Sequence, residues 1–235
     1  MNTKTENTTV NLLTRVGRYL MLHASYTDNI GLLNGKTGIA IFFFHYARYT
    51  KMKLYEKFAG ELLDEIYDEI HTHISTDFKD GLCGIAWGIE YLIQNGFVKG
   101  ETDEILEELD KQILERNVRR IMDNSLETGL KGIAAYAISR NTNMKNNLIS
   151  KEYINDLIWA LYKNVETDKE NEALISQLEK MAEGIRLSMN GKLLAEKINK
   201  TIYSPKTLFN DKRPLGIINN GFSGVGLKIL GGIQR

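Results

Sequence analysis

A chain of 235 residues with 43% hydrophobic side chains can bury a substantial core as one domain, residues 1–235, and its 30 basic residues balance 30 acidic ones, which excludes a global field that steers nucleic acid or an anionic membrane toward it. No apolar run approaches the roughly 20 residues that span a bilayer, and Met1 to Val10 are almost wholly polar, so neither a signal peptide nor an anchor is expected. The lone Cys83 cannot form an internal disulfide, in agreement with a reducing, cytoplasmic setting.

Val10 to Leu22 carry the first amphipathic pattern, and Gly35-Lys36-Thr37-Gly38 then opens a nearly continuous apolar run from Ile39 to Tyr49. Tyr55, Phe58, Ala59, Leu62, Leu63, Ile66, Tyr67 and Ile70 follow the helical period with acids between them. A second tetrad, Gly81-Leu82-Cys83-Gly84, precedes the apolar run Ile85 to Ile93. Ile105, Leu106, Leu109, Ile113 and Val118 repeat the amphipathic pattern, the Arg116, Arg119, Arg120 group reads as its solvated face, and Gly129-Leu130-Lys131-Gly132 opens the run Ile133 to Ile138. Ile154, Leu157, Ile158 and Leu161 give another amphipathic stretch. Ile175, Leu178, Met181, Ala182 and Ile185 keep helical spacing where a tetrad is missing, which predicts an inner helix with an ordinary start. Both prolines fall between Thr201 and Asn220, a long connection that is either a lid or a packed loop, before Gly221-Phe222-Ser223-Gly224-Val225-Gly226 closes the series.

The first glycines stand 46, 48 and 92 residues apart, so this is a repeat protein with one degenerate unit. A helix that is apolar most of the way round must be covered on several sides, whereas a striped helix needs cover on one. The chain is therefore read as all-α, with outer and inner helices alternating five times. The glycine pairs have a physical rationale: the first takes positive φ at the turn and the second allows close backbone approach. Inner-helix starts gathered at one end would offer free N–H groups and positive dipole ends to carboxylates or carbonyls. The competing reading is that the glycines simply permit tight packing.

Gly-x-x-Gly-Ile at successive inner helices resembles the lanthionine synthetase C-like family of α/α toroids. Asn34-Gly-Lys-Thr-Gly-Ile-Ala-Ile-Phe-Phe and Asp80-Gly-Leu-Cys-Gly-Ile-Ala-Trp-Gly-Ile-Glu-Tyr-Leu carry the resemblance, which runs from about Val10 to the end. It implies an α/α toroid-like repeat of about five outer/inner hairpins with the glycine loops at one end, where the family ring has seven, so the ring is either smaller or completed by a partner. It also implies a place in ribosomal peptide modification, where the family's cyclases add a cysteine thiol to a dehydrated serine or threonine with zinc. In those cyclases zinc is held by a cysteine in a Trp-Cys-x-Gly loop and by an adjacent Cys-His pair. Neither signature occurs here, and such a site needs three protein ligands, so no metal residue and no cofactor is carried over.

Other chemistry is weighed residue by residue. Cys83 is either a nucleophile at a helix start or a small buried hydrophobe. His71 and His73 with Asp77 form either a metal site or a solvated helix end. Asp77, Asp80, Glu90 and Glu127 are the carboxylates available to a glycosidase-like site, or caps of their helices. His45, Tyr91 and Ser139 recur seven residues after the second glycines and, with Trp87, Tyr136 and Arg140, line either a central cavity or a satisfied core. The expectation is a peptide-binding or maturation-enzyme-binding protein rather than a zinc cyclase, with Asn34, Lys36, Asp80, Trp87, Glu127, Lys131 and Asn220 around the loops as ligand-binding residues. A carboxylate enzyme and a purely structural interaction module are the alternatives. Inner-helix surface left uncovered by an incomplete ring predicts self-association or a partner.

Overall fold

A computed structural model describes residues 3–70, 74–141, 149–163, 169–187, 191–210 and 212–233. The described residues are all-α, without strands. In chain order they form α1 (Thr3–His23), α2 (Lys36–Thr50), α3 (Lys53–Glu69), α4 (Leu82–Gln94), α5 (Thr102–Ile105), α6 (Glu107–Leu114), α7 (Leu130–Asn141), α8 (Lys151–Lys163), α9 (Lys169–Ala182), α10 (Lys192–Asn199) and α11 (Phe222–Ile233), with 3₁₀ turns at Ala24–Tyr26 and Val118–Arg120. No helix among them is long and apolar enough to cross a membrane.

Burial separates the two helix types that the apolar patterns predict. In α2, 11 of 15 residues are buried and in α7, 11 of 12, so these helices are enclosed on nearly all sides. In α3 only Ala59, Leu62 and Ile66 of 17 residues are buried, the single stripe of an outer helix. Tyr67, expected on that stripe, is 65% exposed. The outer segment after α4 is not one helix. It breaks at Leu106 (φ −102°, ψ 2°) between α5 and α6, and Asp103 and Asp110 on either side of the break both bond to Arg140 of α7.

The chain forms two compact units, one from Met1–Ile70 with Gly191–Arg235 and the other from His71–Asn190. In the first, α11 packs on α1, α2 and α10. The Thr201–Asn220 connection is a packed loop in this unit rather than a lid: Leu208 is fully buried, and Phe209 lies between the Tyr19 ring at 5.9 Å and the Arg15 guanidinium at 4.3 Å. Lys228 secures its start by donating to the carbonyls of Asn199 (2.9 Å) and Thr201 (2.6 Å).

In the second unit α7 packs on α4, α8 and α9. The helix at the missing tetrad buries only Asn171, Ile175, Leu178 and Met181 of its 14 residues, so it is striped like an outer helix and not enclosed as expected. Gly184, at φ +81°, ends it: Gly184 N–H bonds the Met181 carbonyl and Ile185 N–H that of Lys180, which places Ile185 beyond the helix and 46% exposed.

The first glycines are not in positive φ. Gly35 lies at −119° and Gly81 at −114°, both extended. What they require is space: a Cβ on Gly35, Gly81 or Gly129 would overlap the carbonyl oxygen of Asn29, Ser75 or Asp123, six residues earlier. Gly81→Ala and Gly129→Ala are therefore expected to lose about 1–3 kcal/mol each in urea denaturation by overpacking, whereas Gly60→Ala in α3, with nothing within 4 Å of the added Cβ, should gain about 0.5–1 kcal/mol.

Candidate functional site

The loops before the three inner helices that follow a full glycine tetrad share one geometry. The first helical amide reaches back seven residues to a carbonyl: Lys36 N–H to Asn29 (2.8 Å), Leu82 N–H to Ser75 (2.8 Å) and Leu130 N–H to Asp123 (2.9 Å). The side chain at that same position folds the loop by accepting from the amide two residues on. Asn29 Oδ1 takes Gly31 N–H (2.8 Å), Ser75 Oγ takes Asp77 N–H (3.0 Å) and Asp123 Oδ1 takes Ser125 N–H (2.8 Å). The helix starts are thus not the open N–H clusters expected from the sequence, because the loop's own carbonyls occupy their leading donors. Asn, Ser and Asp six residues before the first glycine are a repeat signal as regular as the glycines themselves.

Neighbouring loops are joined through their backbones. In the first unit Leu33 C=O accepts from Ile217 N–H (2.7 Å) and Ile218 N–H (3.2 Å). In the second, Glu127 C=O accepts from Phe78 N–H (3.0 Å) and Lys79 N–H (2.9 Å). Each acceptor stands two residues before a first glycine, so the same joint is made twice.

On this frame the expected binding residues fall into two sets. Asn34, Lys36 and Asn220 belong to the first unit, and Asp80, Trp87, Glu127 and Lys131 to the second. Asn34 and Asn220 are half-buried, and Asn220, at φ 57°, accepts Ile202 N–H on its Oδ1 (2.6 Å). Lys36 is buried, and its ammonium bonds Glu69 (2.5 Å) and Glu65 (2.9 Å) on α3; burial opposes its charge, but the bonds to Glu69 and Glu65 outweigh this and raise its pKa. Lys131 is likewise buried and reaches Glu170 of α9 at 3.2 Å. Both lysines thus tie an inner-helix start to a striped helix. Trp87 is 3% exposed, stacked on Tyr91 at 5.4 Å and edge-on to Phe78 at 5.9 Å. Asp80 and Glu127 keep half-exposed side chains on the joined loops.

The alternative chemistries are placed differently. Cys83 is fully buried, and burial, with the Asp77 carboxylate, pushes its thiol well above the usual range, the opposite of an activated nucleophile. Asp77 is engaged in its own loop, accepting from Ser75 Oγ (2.5 Å) and Asp80 N–H (2.8 Å). Glu90 is fully buried against the Arg140 guanidinium and takes Gln94 Nε2 at 2.9 Å. His71 and His73 lie outside the described residues.

Of the positions proposed to line a cavity, Tyr136, Ser139 and Arg140 form a satisfied core. Arg140 is fully buried yet bonds Glu90, Asp110 (2.7 Å) and Asp103 (3.2 Å), while Tyr136 Oη donates to Asp110 (2.5 Å) and Ser139 Oγ to the Tyr136 carbonyl (2.7 Å). Asp103 and Asp110 escaped the sequence reading because nothing local distinguishes them from solvated acids.

A family model described as lanthionine synthetase C-like protein matches residues 26–191. The chain belongs to this family. No curated protein matches it. Its all-α alternation of enclosed and striped helices fits the α/α-toroid class of lanthionine synthetase C-like proteins, and the match takes in the three full glycine tetrads and the degenerate repeat. The family's catalytic zinc does not fit the residues present. The one cysteine is sealed in the core with a raised thiol pKa, and no group of three His, Cys, Asp or Glu side chains that could hold a metal gathers among the described residues.

Two predictions follow the buried groups of this lanthionine synthetase C-like chain. Arg140→Met leaves three carboxylates without their cation and should lower stability by about 3–5 kcal/mol in urea denaturation, while removal of the exposed Lys57–Glu61 pair changes it by less than about 1 kcal/mol. His45 is held neutral by burial and by Arg48, with its pKa lowered from 6.5 to about 4. Between those values the unfolded chain binds a proton that the folded one refuses, so stability falls as pH drops from 6.5 to 4. His45→Phe should flatten that limb of the pH–stability curve.

Proposed function

We propose that this lanthionine synthetase C-like protein acts in ribosomal peptide modification by binding a peptide or a maturation enzyme, without zinc-dependent thioether cyclisation. The burial of Cys83 carries the reading, since a cyclase activates its substrate thiol at a thiolate-bound zinc and this chain's only sulfhydryl is sealed within α4.

The joined loops supply what a binder needs. Their backbones are fixed by reciprocal turns and by the joint between neighbours, so polar side chains on them are ordered before a ligand arrives. The half exposure of Asp80 and Glu127 in one unit, and separately of Asn34 and Asn220 in the other, supports reading each pair as partners for a peptide's amides. Trp87, Lys36 and Lys131 act from beneath. Trp87 packs on Phe78, whose amide bonds the Glu127 carbonyl, and each lysine anchors a helix start to an acid of a striped helix. The glycosidase-like reading is less well supported, because Glu90 is buried against Arg140 and Asp77 is engaged by Ser75 and Asp80 of its own loop.

Calorimetric titration with synthetic precursor peptides tests the proposal. Binding should be insensitive to chelator, and Asp80→Asn and Glu127→Gln should each weaken it about tenfold, the equivalent of about 1.4 kcal/mol, with the melting temperature unchanged. Stoichiometric zinc in protein purified without chelator, together with thioether formation on a dehydrated peptide, overturns it.

A further inference from the structure

Asparagine stands directly before glycine at Asn34–Gly35, Asn95–Gly96, Asn190–Gly191 and Asn220–Gly221. Such a step can convert itself without an enzyme. The glycine amide nitrogen attacks the side-chain carbonyl carbon of the asparagine, the N–Cγ bond forms as the Cγ–Nδ2 bond breaks, and ammonia leaves with the amide proton. Water then opens the resulting succinimide at either of its carbonyls, which gives aspartate or isoaspartate. Glycine favours the ring closure because it has no Cβ to obstruct the approach, so the fold around each step decides whether it proceeds.

Two of the steps are locked by the glycine loops. Gly35 is buried with the Asn29 carbonyl oxygen in the place of a Cβ, its N–H bonds the Gly31 carbonyl at 3.2 Å, and Gly216 is pressed against the Asn34 backbone. Gly221 is buried against the Gly216 carbonyl, and its N–H bonds that of Ile218 at 3.0 Å. Asn220 is held on both sides, because its Oδ1 accepts Ile202 N–H at 2.6 Å and its main-chain carbonyl accepts from the Arg213 guanidinium at 3.3 Å. Neither asparagine can turn its side chain onto the next nitrogen without displacing the backbone packed around it. Asn190 lies outside the described residues.

The step at Asn95 is built differently. It closes α4, both of its residues are exposed, and a Cβ on Gly96 would meet nothing within 4 Å. Gly96 turns the chain at φ +66°, and the bonds that hold the turn are all local. Gly96 N–H reaches the Ile93 carbonyl at 2.9 Å, Phe97 N–H that of Leu92 at 2.9 Å, and Asn95 Nδ2 that of Tyr91 at 2.8 Å. A helix end held in this way opens without unfolding the rest of the domain. Opening frees both the amide nitrogen that attacks and the side chain that it attacks.

We propose that Asn95–Gly96 is a site of spontaneous succinimide formation in the folded chain, while the glycine loops keep Asn34–Gly35 and Asn220–Gly221 intact. The product carries its new carboxylate at the C-terminal end of α4, where the helix dipole opposes a negative charge, and it has lost the donor to the Tyr91 carbonyl. The site is independent of the function proposed for the loops.

Incubation of the full chain at mildly alkaline pH, followed by peptide mapping with mass spectrometry, tests it. The peptide containing Asn95 should convert at least tenfold faster than those containing Asn34 or Asn220, and fragmentation should show both aspartate and isoaspartate at position 95. In urea, where the packing is gone, the three steps should convert at similar rates, and Asn95→Gln should abolish the conversion at its own position alone. The proposal is overturned if Asn34 or Asn220 converts within tenfold of the Asn95 rate in the folded chain, if Asn95 is unconverted, if its product lacks isoaspartate, or if the tenfold difference persists in urea.

Discussion

The inner helices that follow a full glycine tetrad rest on one contact: a loop carbonyl occupies the space where the first glycine would otherwise carry a side chain. That oxygen, on Asn29, Ser75 or Asp123, also accepts the first helical N–H, so steric fit and hydrogen bonding fix the same point. The second glycines repeat the arrangement, with a Cβ on Gly38 or Gly132 overlapping the carbonyl of Leu32 or Leu126. A loop held at both glycines has little freedom left, and this is why its backbone can join a neighbouring loop without any side chain taking part. The joint at Leu33 and the joint at Glu127 are the outcome.

This tight closure changes what the helix ends can do. An uncapped N-terminus attracts anions through its free donors and its dipole, but here the loop has filled the leading position with its own oxygen. The binding proposed for these loops therefore rests on their half-exposed side chains and not on open helix starts. The family match spans residues 26–191, while no group of side chains that could hold its metal gathers among the described residues, a separation of scaffold and chemistry that fold membership alone would conceal.

Much of the architecture was legible in the sequence because it is written in local patterns. Enclosed helices announce themselves as unbroken apolar runs, and Ile39 to Tyr49 needed no partner to be recognised. The tetrads marked the helix starts to within a residue, although their purpose is close approach and not positive φ. Long-range constraints were the ones missed. Arg140 looked like a polar lining residue until Glu90, Asp103 and Asp110 converged on it from three helices, and the break at Leu106 that accompanies this convergence has no glycine or proline to signal it. The Thr201–Asn220 segment could not be told from a lid because its partner, Tyr19, lies nearly 200 residues earlier. Asn29, Ser75 and Asp123 were visible at a constant offset from the glycines, and only their differing chemistry hid them.

The first unit is assembled from two stretches that lie on either side of the second in the sequence, and this sets an order of events during synthesis. The second unit lies within one unbroken stretch, so it can complete its packing while the ribosome is still at work, since domains fold as their sequence emerges. Helices α1 and α2 have no such option. The apolar surface that α11 covers, including the Phe42 ring on which Gly226 is pressed, stays open until α11 has left the exit tunnel. During that interval the nascent chain displays a sticky face, the condition under which a chaperone has something to hold.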